Sequence, residues 1–198
     1  MKFQLLSFAL AFSTLVAVAQ KKEIVFNVAF KDKNIGTIHA VKEVSGTKVS
    51  SDLKTNTDAK VFMMSIHVES EVAAVKENGV LVQGTAYRHA NRGSEDVHAK
   101  VTKVADKTYQ AVKNGKTTKI ENKQIDVCVV DLYHQEPKGL NAIFSNMYAD
   151  FLKVKALGAG KYQVTTPDNK DTFYNYQNGQ LVLVESNTPL GKVVCKRI

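Results

Sequence analysis

The chain has 198 residues, of which 44% are hydrophobic, with two cysteines and a formal net charge of +8. That length supports one domain with its own core, without metal or disulfide staples. The basic excess is almost all lysine, scattered along the chain, with arginine only at Arg88, Arg92 and Arg197. Bidentate phosphate recognition favours the arginine fork, so a nucleic-acid binder is not expected and a solvated lysine face is.

The first residues read as a secretory leader. Lys2 is the only charge, Leu5 to Val16 is apolar apart from Ser7, Ser13 and Thr14, and Ala17-Val18-Ala19 offers the small residues a signal peptidase reads. The apolar run is shorter than the ~20 residues a spanning helix needs. The expected product loses residues 1–19 and keeps a single domain over 20–198. It is exported to the periplasm or the exterior of a bacterium and has no membrane span.

Period-two patterning dominates the rest of the chain. Ile24, Phe26, Val28 and Phe30 predict a first strand, and Lys31 to Asn34 a turn into a second over 35–44. A more polar strand over 47–57 suits a sheet edge. Phe62, Met64, Ile66, Val68, Ser70 and Val72 make one row of a long strand. Asn78-Gly79, Asn114-Gly115 and Asn178-Gly179 are hairpin turns, because both residues tolerate positive φ. They join the long strand to one over 80–89, 108–113 to 116–121, and 172–177 to 180–186; a polar loop at 90–96 precedes a further strand over 98–104. Ile125, Val129 and Leu132 then recur at helical spacing, with Asp126 near the start and Pro137 and Gly139 at the end. A second helical turn is expected over 142–151, and strands over 161–166 and 192–198. The predicted fold is mainly β: an antiparallel meander of about ten strands curving into a barrel-like sheet. A short helical insert near 125–150 plugs or lines its mouth.

Leu132-Tyr133-His134-Gln135-Glu136-Pro137 and Ile143-Phe144-Ser145 form the most distinctive stretch. Taken with Ile35-Gly36-Thr37, Tyr162, Thr166-Pro167-Asp168, Tyr174, Tyr176 and Asn178-Gly179, they resemble a family of exported bacterial proteins of unknown function. The resemblance implies export and a β-barrel-like domain with a short LYF-x-EP helix and a following FSE turn. This chain has His134 where that pattern has an aromatic, and Asn146 where it has an acid. A pairing through that acid is therefore not carried over, and the resemblance implies no activity.

Tyr133, His134 and Glu136 place an imidazole and a carboxylate close together, as acid–base chemistry requires. A helix end whose Tyr packs inward and whose Glu caps or hydrogen-bonds backbone is the favoured reading of the same residues. Tyr87 and His89 share one strand face, with Arg88 on the other. Arg88 either grips a carboxylate or phosphate or pairs with Glu69 or Glu71. The five histidines have no metal-ligand spacing, and no cofactor motif is present. Cys128 and Cys195 are either a disulfide or two buried thiols. Phe62, Met63, Met64, Ile66 and Val68 line either a cavity or a solid core.

The leading expectation is a non-enzymatic envelope protein that binds an apolar or amphipathic, lipid-like molecule inside or at the mouth of the barrel. Tyr87, Arg88, Tyr133, His134 and Glu136 are its candidate contacts. The alternatives are a structural or interaction module docking on another envelope protein, and a hydrolase using the Tyr133–Glu136 region.

Overall fold

A computed structural model describes residues 19–61, 64–92, 95–188 and 191–198. The predicted leader up to Val18 lies outside these residues, as do Phe62 and Met63. The chain forms β1 (Gln20–Phe30), β2 (Lys33–Ser45), β3 (Lys48–Val61), β4 (Met64–Glu77), β5 (Val80–Ala90), β6 (Val97–Ala105), β7 (Thr108–Lys113) and β8 (Lys116–Ile120). After a 3₁₀ turn at Val129–Tyr133 come β9 (Ala142–Ser145), β10 (Asp150–Gly158), β11 (Lys161–Thr165), β12 (Asp171–Gln177), β13 (Gln180–Thr188) and β14 (Gly191–Arg197).

All strands belong to one antiparallel sheet of 14 strands in the order β8-β7-β6-β5-β4-β3-β2-β1-β14-β13-β12-β11-β10-β9. Every neighbour is a hairpin partner except β1 and β14, whose pairing joins two meanders in mid-sheet. The three Asn-Gly turns are present. Asn78, Asn114 and Asn178 have φ of 50°, 48° and 51°, and the glycine after each is also positive. Those dihedrals match the right-handed strand twist of a two-residue hairpin. Gly36 has a stricter reason to be glycine. Its φ is 154°, and a Cβ there would lie 2.0 Å from the Asn56 carbonyl oxygen.

The sheet is curved but not closed. Its free ends are β8 and β9, which do not pair with each other. What fills the curve is the segment between them. Ile125, Val130, Leu132, Ile143, Phe144 and Asn146 are among the largest side chains with essentially no exposed surface. They meet Leu81, Val101 and Tyr109 from one meander, and Phe26, Leu181 and Val164 from the other. Backbone bonds hold the segment: Leu81 N–H donates to the Ile125 carbonyl at 2.8 Å, and Phe144 N–H to that of Val127 at 2.9 Å. The Tyr109 hydroxyl accepts from Ile125 N–H at 3.2 Å, and that of Tyr176 donates to the Leu132 carbonyl at 2.7 Å. A segment crossing a core must satisfy its backbone in this way, because a buried unpaired amide costs about 1–3 kcal/mol.

Several expectations are corrected. The sheet is open where a barrel was expected, and has fourteen strands where about ten were predicted. The helical insert shrinks to one 3₁₀ turn, and 142–151 is strand, turn and strand. Ile143, Phe144 and Ser145 are all buried because β9 is covered on both faces, which erases the alternation that marks a strand. Asp126 starts no helix. Asp131, inside the 3₁₀ turn, reaches back instead, and Cys128 N–H donates to its Oδ2 at 2.6 Å. The polar strand 47–57 is not an edge. β3 lies between β2 and β4; Lys54, Asn56, Asp58 and Lys60 are its exposed row, whereas Ser51 turns inward and is buried. Cys128 and Cys195 are unpaired buried thiols, pushed up to about 12 and about 11 by burial, so neither is a thiolate at neutral pH.

Candidate functional site at the basic end of the sheet

The predicted site residues divide between two places. Tyr133, His134 and Glu136 follow or end the 3₁₀ turn, at the end of the sheet that carries the 78–79 and 178–179 turns. Tyr87 and Arg88 sit late in β5, toward the opposite end, and contribute nothing to that region.

Tyr87 faces outward, into an open groove of about 310 Å³ with His39, Lys54, Asn56, Glu69 and Glu71. The charges there already have partners. Tyr87 donates to Glu69 at 3.0 Å, which raises its hydroxyl pKa, Lys54 pairs with Glu71 at 2.9 Å, and His39 with Glu23 at 2.9 Å. Arg88 points to the other face, as its strand parity required. It bonds neither Glu69 nor Glu71; its Nη2 donates to the Glu95 carbonyl at 3.1 Å.

Tyr133 is packed rather than presented. Its ring meets Phe26 and Tyr174 edge-on, with centroids 5.3 and 6.5 Å apart, and burial drives its hydroxyl well above the ordinary range. Glu136 is also committed: the Tyr162 hydroxyl donates to it at 2.8 Å, and Lys138 lies 3.3 Å away. It forms no bond to His134, so the imidazole and carboxylate expected to do acid–base work are not coupled. The turn is anchored by tyrosines on β11 and β12, which explains why Tyr133, Tyr162, Tyr174 and Tyr176 gather in one core cluster.

Asp131 is buried and serves as the hub of the turn. Its carboxylate accepts from Lys76 Nζ, from Cys128 N–H at 2.6 Å and from the Ser51 hydroxyl at 3.3 Å. Lys76 also donates to the Asp126 carbonyl at 2.6 Å, so the buried ammonium and carboxylate satisfy each other.

His134 is different. Neither ring nitrogen touches solvent or a hydrogen-bond partner among the described residues. Burial lowers its pKa to about 4, and Lys42, Lys22 and Arg197 push the same way. These three cations follow from strand parity. β1 buries Ile24, Phe26 and Val28, so Lys22 falls on the inward face. β2 buries Ile38 and Ala40, so Lys42 does too. The register sets Lys22 directly opposite Lys42, with Ser51 next across on β3, and Arg197 opposite Phe26. The first residues of β1, Gln20 to Ile24, have no pairing from β14, which leaves this end of the fold open on one side. Beside it, Val182, Leu183 and Ile198 line an open groove of about 610 Å³ together with Lys196, Arg197 and Gln177. Among the described residues no cluster of His, Cys, Asp or Glu could hold a metal ion.

A family model described as a domain of unknown function (DUF6134) matches residues 26–198, nearly everything from β1 onward. The chain belongs to the DUF6134 family. The match spans both meanders and the segment crossing between them, so all three are parts of one family unit. The family description assigns no activity. No curated protein and no solved structure matches the chain. Among the described residues no helix is long and apolar enough to cross a membrane.

Sequence reasoning singles out His134 but misses Lys22, Lys42 and Arg197. The signal is present, because both lysines occupy the same parity as the apolar rows of their strands.

Proposed function

We propose that this DUF6134 protein is an exported, non-enzymatic binding protein of the bacterial envelope or exterior. It takes an amphipathic ligand at the basic end of its sheet, not inside a hollow barrel. The observation that carries this reading is the groove beside Arg197. Val182, Leu183 and Ile198 supply apolar wall, and Lys196 and Arg197 supply charge at its border. A concave, mostly apolar site with a few polar groups is the common form of a small-molecule site, and about 610 Å³ lies within the usual range of roughly 300–1,000 Å³. The interior supports the mouth over the core, since the crossing segment occupies the space a swallowed lipid would need. Binding is also favoured over hydrolysis, because Asp131 and Glu136 are both held by other partners. The leader-like first nineteen residues support export.

Mass spectrometry of an organic extract tests the proposal. Protein from its native host and an unrelated exported protein are extracted identically. The expected result is an amphipathic molecule enriched only in this protein and lost on Leu183→Asp. An extract identical to the control, together with failure of added amphipaths to bind, would contradict it.

A further inference from the structure

We infer that His134, Lys22, Lys42 and Arg197 form a binding site for an oxyanion, a carboxylate or phosphate group, at the basic end of the sheet. This inference rests on the amphipathic reading above and assigns the charged group of that ligand. Three independent observations converge on it. Lys22 and Lys42 stand directly opposite each other on an inward face. Like charges in that cross-strand relation repel, so the arrangement is unfavourable unless an anion relieves it. Among the described residues no carboxylate lies within ion-pair distance of Lys22, Lys42 or Arg197. The one acid that His134 senses, Asp131, is already bound by Lys76, Ser51 and Cys128.

The third observation is the imidazole. A neutral ring has one N–H donor and one acceptor nitrogen, and buried polar atoms without partners are uncommon enough to require an explanation. An oxyanion answers both needs: it accepts the imidazole N–H and neutralises the cations around it. A cationic or neutral ligand would leave the lysines uncompensated. The paired charges of the outer groove near Tyr87 lack this deficit. The ring nitrogens are shut from solvent, so an arriving anion must shift the atoms above them. The four-carbon stem of a lysine is flexible enough to give way and then fold over the ligand.

The geometry also places the rest of the ligand. Arg197 belongs both to the cation set and to the border of the groove lined by Val182, Leu183 and Ile198. Leu183 pairs with the outward-facing Lys196, so a chain attached to an anionic head at His134 reaches that wall by passing Ile198 at the end of the strand.

The test is calorimetric titration of the purified full-length protein with inorganic phosphate, hexyl phosphate, hexanoate and uncharged hexanol. The ring ¹⁵N shifts of His134 are followed in parallel. Saturable binding of phosphate or hexanoate that moves the His134 ring signals is expected, with hexyl phosphate tighter than phosphate. Lys42→Gln and Lys22→Gln should each weaken binding about tenfold, the loss of one charge-assisted contact. Lys155→Gln, on the exposed row of β10 and outside both the cation set and the groove, should change it less than about twofold. Lys22 is exposed, so its variant keeps the test valid if Lys42→Gln fails to fold. Unmoved His134 signals with every anion, or equal weakening by Lys155→Gln, would overturn the site. Anion binding without gain from the hexyl chain would uphold the site and refute the amphipathic reading. Hexanol binding that is insensitive to Lys22 and Lys42 would uphold that reading and refute the anion site.

Discussion

His134 sits where the fold could have placed an aromatic at less cost, since its ring nitrogens are buried without partners. Its pKa falls from 6.5 to about 4, mainly through burial. Between those values the unfolded chain binds a proton that the folded chain refuses. Stability is then full above pH 6.5, declines as pH falls toward 4, and levels off below it. The ring is only about half buried, so solvent screening reduces the penalty to about 1–2 kcal/mol. His89 runs the other way. Its hydrogen bond to Asp96 raises its pKa, so that contribution is present at low pH and fades as pH rises past 6.5. Urea midpoints from pH 4 to 7 should therefore rise less steeply for His134→Gln than for the unaltered protein. Parallel pH profiles would mean that His134 is hydrated or partnered in the folded state. Asn146 shows a similar precision. Its Nδ2 donates to the Ala73 carbonyl at 2.6 Å, and the room it occupies exists because residue 84 is glycine. An acid at 146 would aim a carboxylate at a carbonyl oxygen, so the amide suits this core where a carboxylate would not.

At the scale of elements, the crossing segment carries most of the individuality of the fold. The strands were legible because their faces differ. Alternation marked β1, β4 and β5, and Asn-Gly marked three hairpins to the residue. The segment from Ile125 to Phe151 was not legible, because helical spacing of Ile125, Val129 and Leu132 is also what a chain buried on every side presents. The basic end was half legible. His134 stood out within a distinctive motif, whereas Lys22 and Lys42 each look like ordinary surface lysines until the β1–β2 register sets them face to face. The segment is pinned at its centre by Lys76 and Asp131, both buried. Lys76→Met alone strands a buried carboxylate and should cost about 3–5 kcal/mol in denaturant unfolding. Lys76→Met with Asp131→Leu should recover most of that loss. A deficit of about 1–3 kcal/mol should remain, because Cys128 N–H and the Ser51 hydroxyl lose their acceptor. A single variant as stable as the unaltered protein would show that the pair is not enclosed.

At the scale of the whole molecule, one curved open sheet of two meanders is wrapped around its own connecting segment. That arrangement explains how a sheet without closure keeps its core side chains buried. β8, one free end, is short and carries Lys116 and Lys119, charges that discourage edge-to-edge pairing. It also assigns roles by place: the interior supplies stability, and the basic end, where β1 outruns β14, supplies the unmet charge. Native-state amide hydrogen exchange tests this division most directly. The amides of Leu81, Phe144 and Val154, which bond within or across the filled interior, should exchange only through global unfolding, as slowly as the central strands β1 and β14. Exchange of Phe144 and the crossing segment through a local opening far cheaper than global unfolding would contradict it, since the segment would then be a removable plug over a ligand cavity.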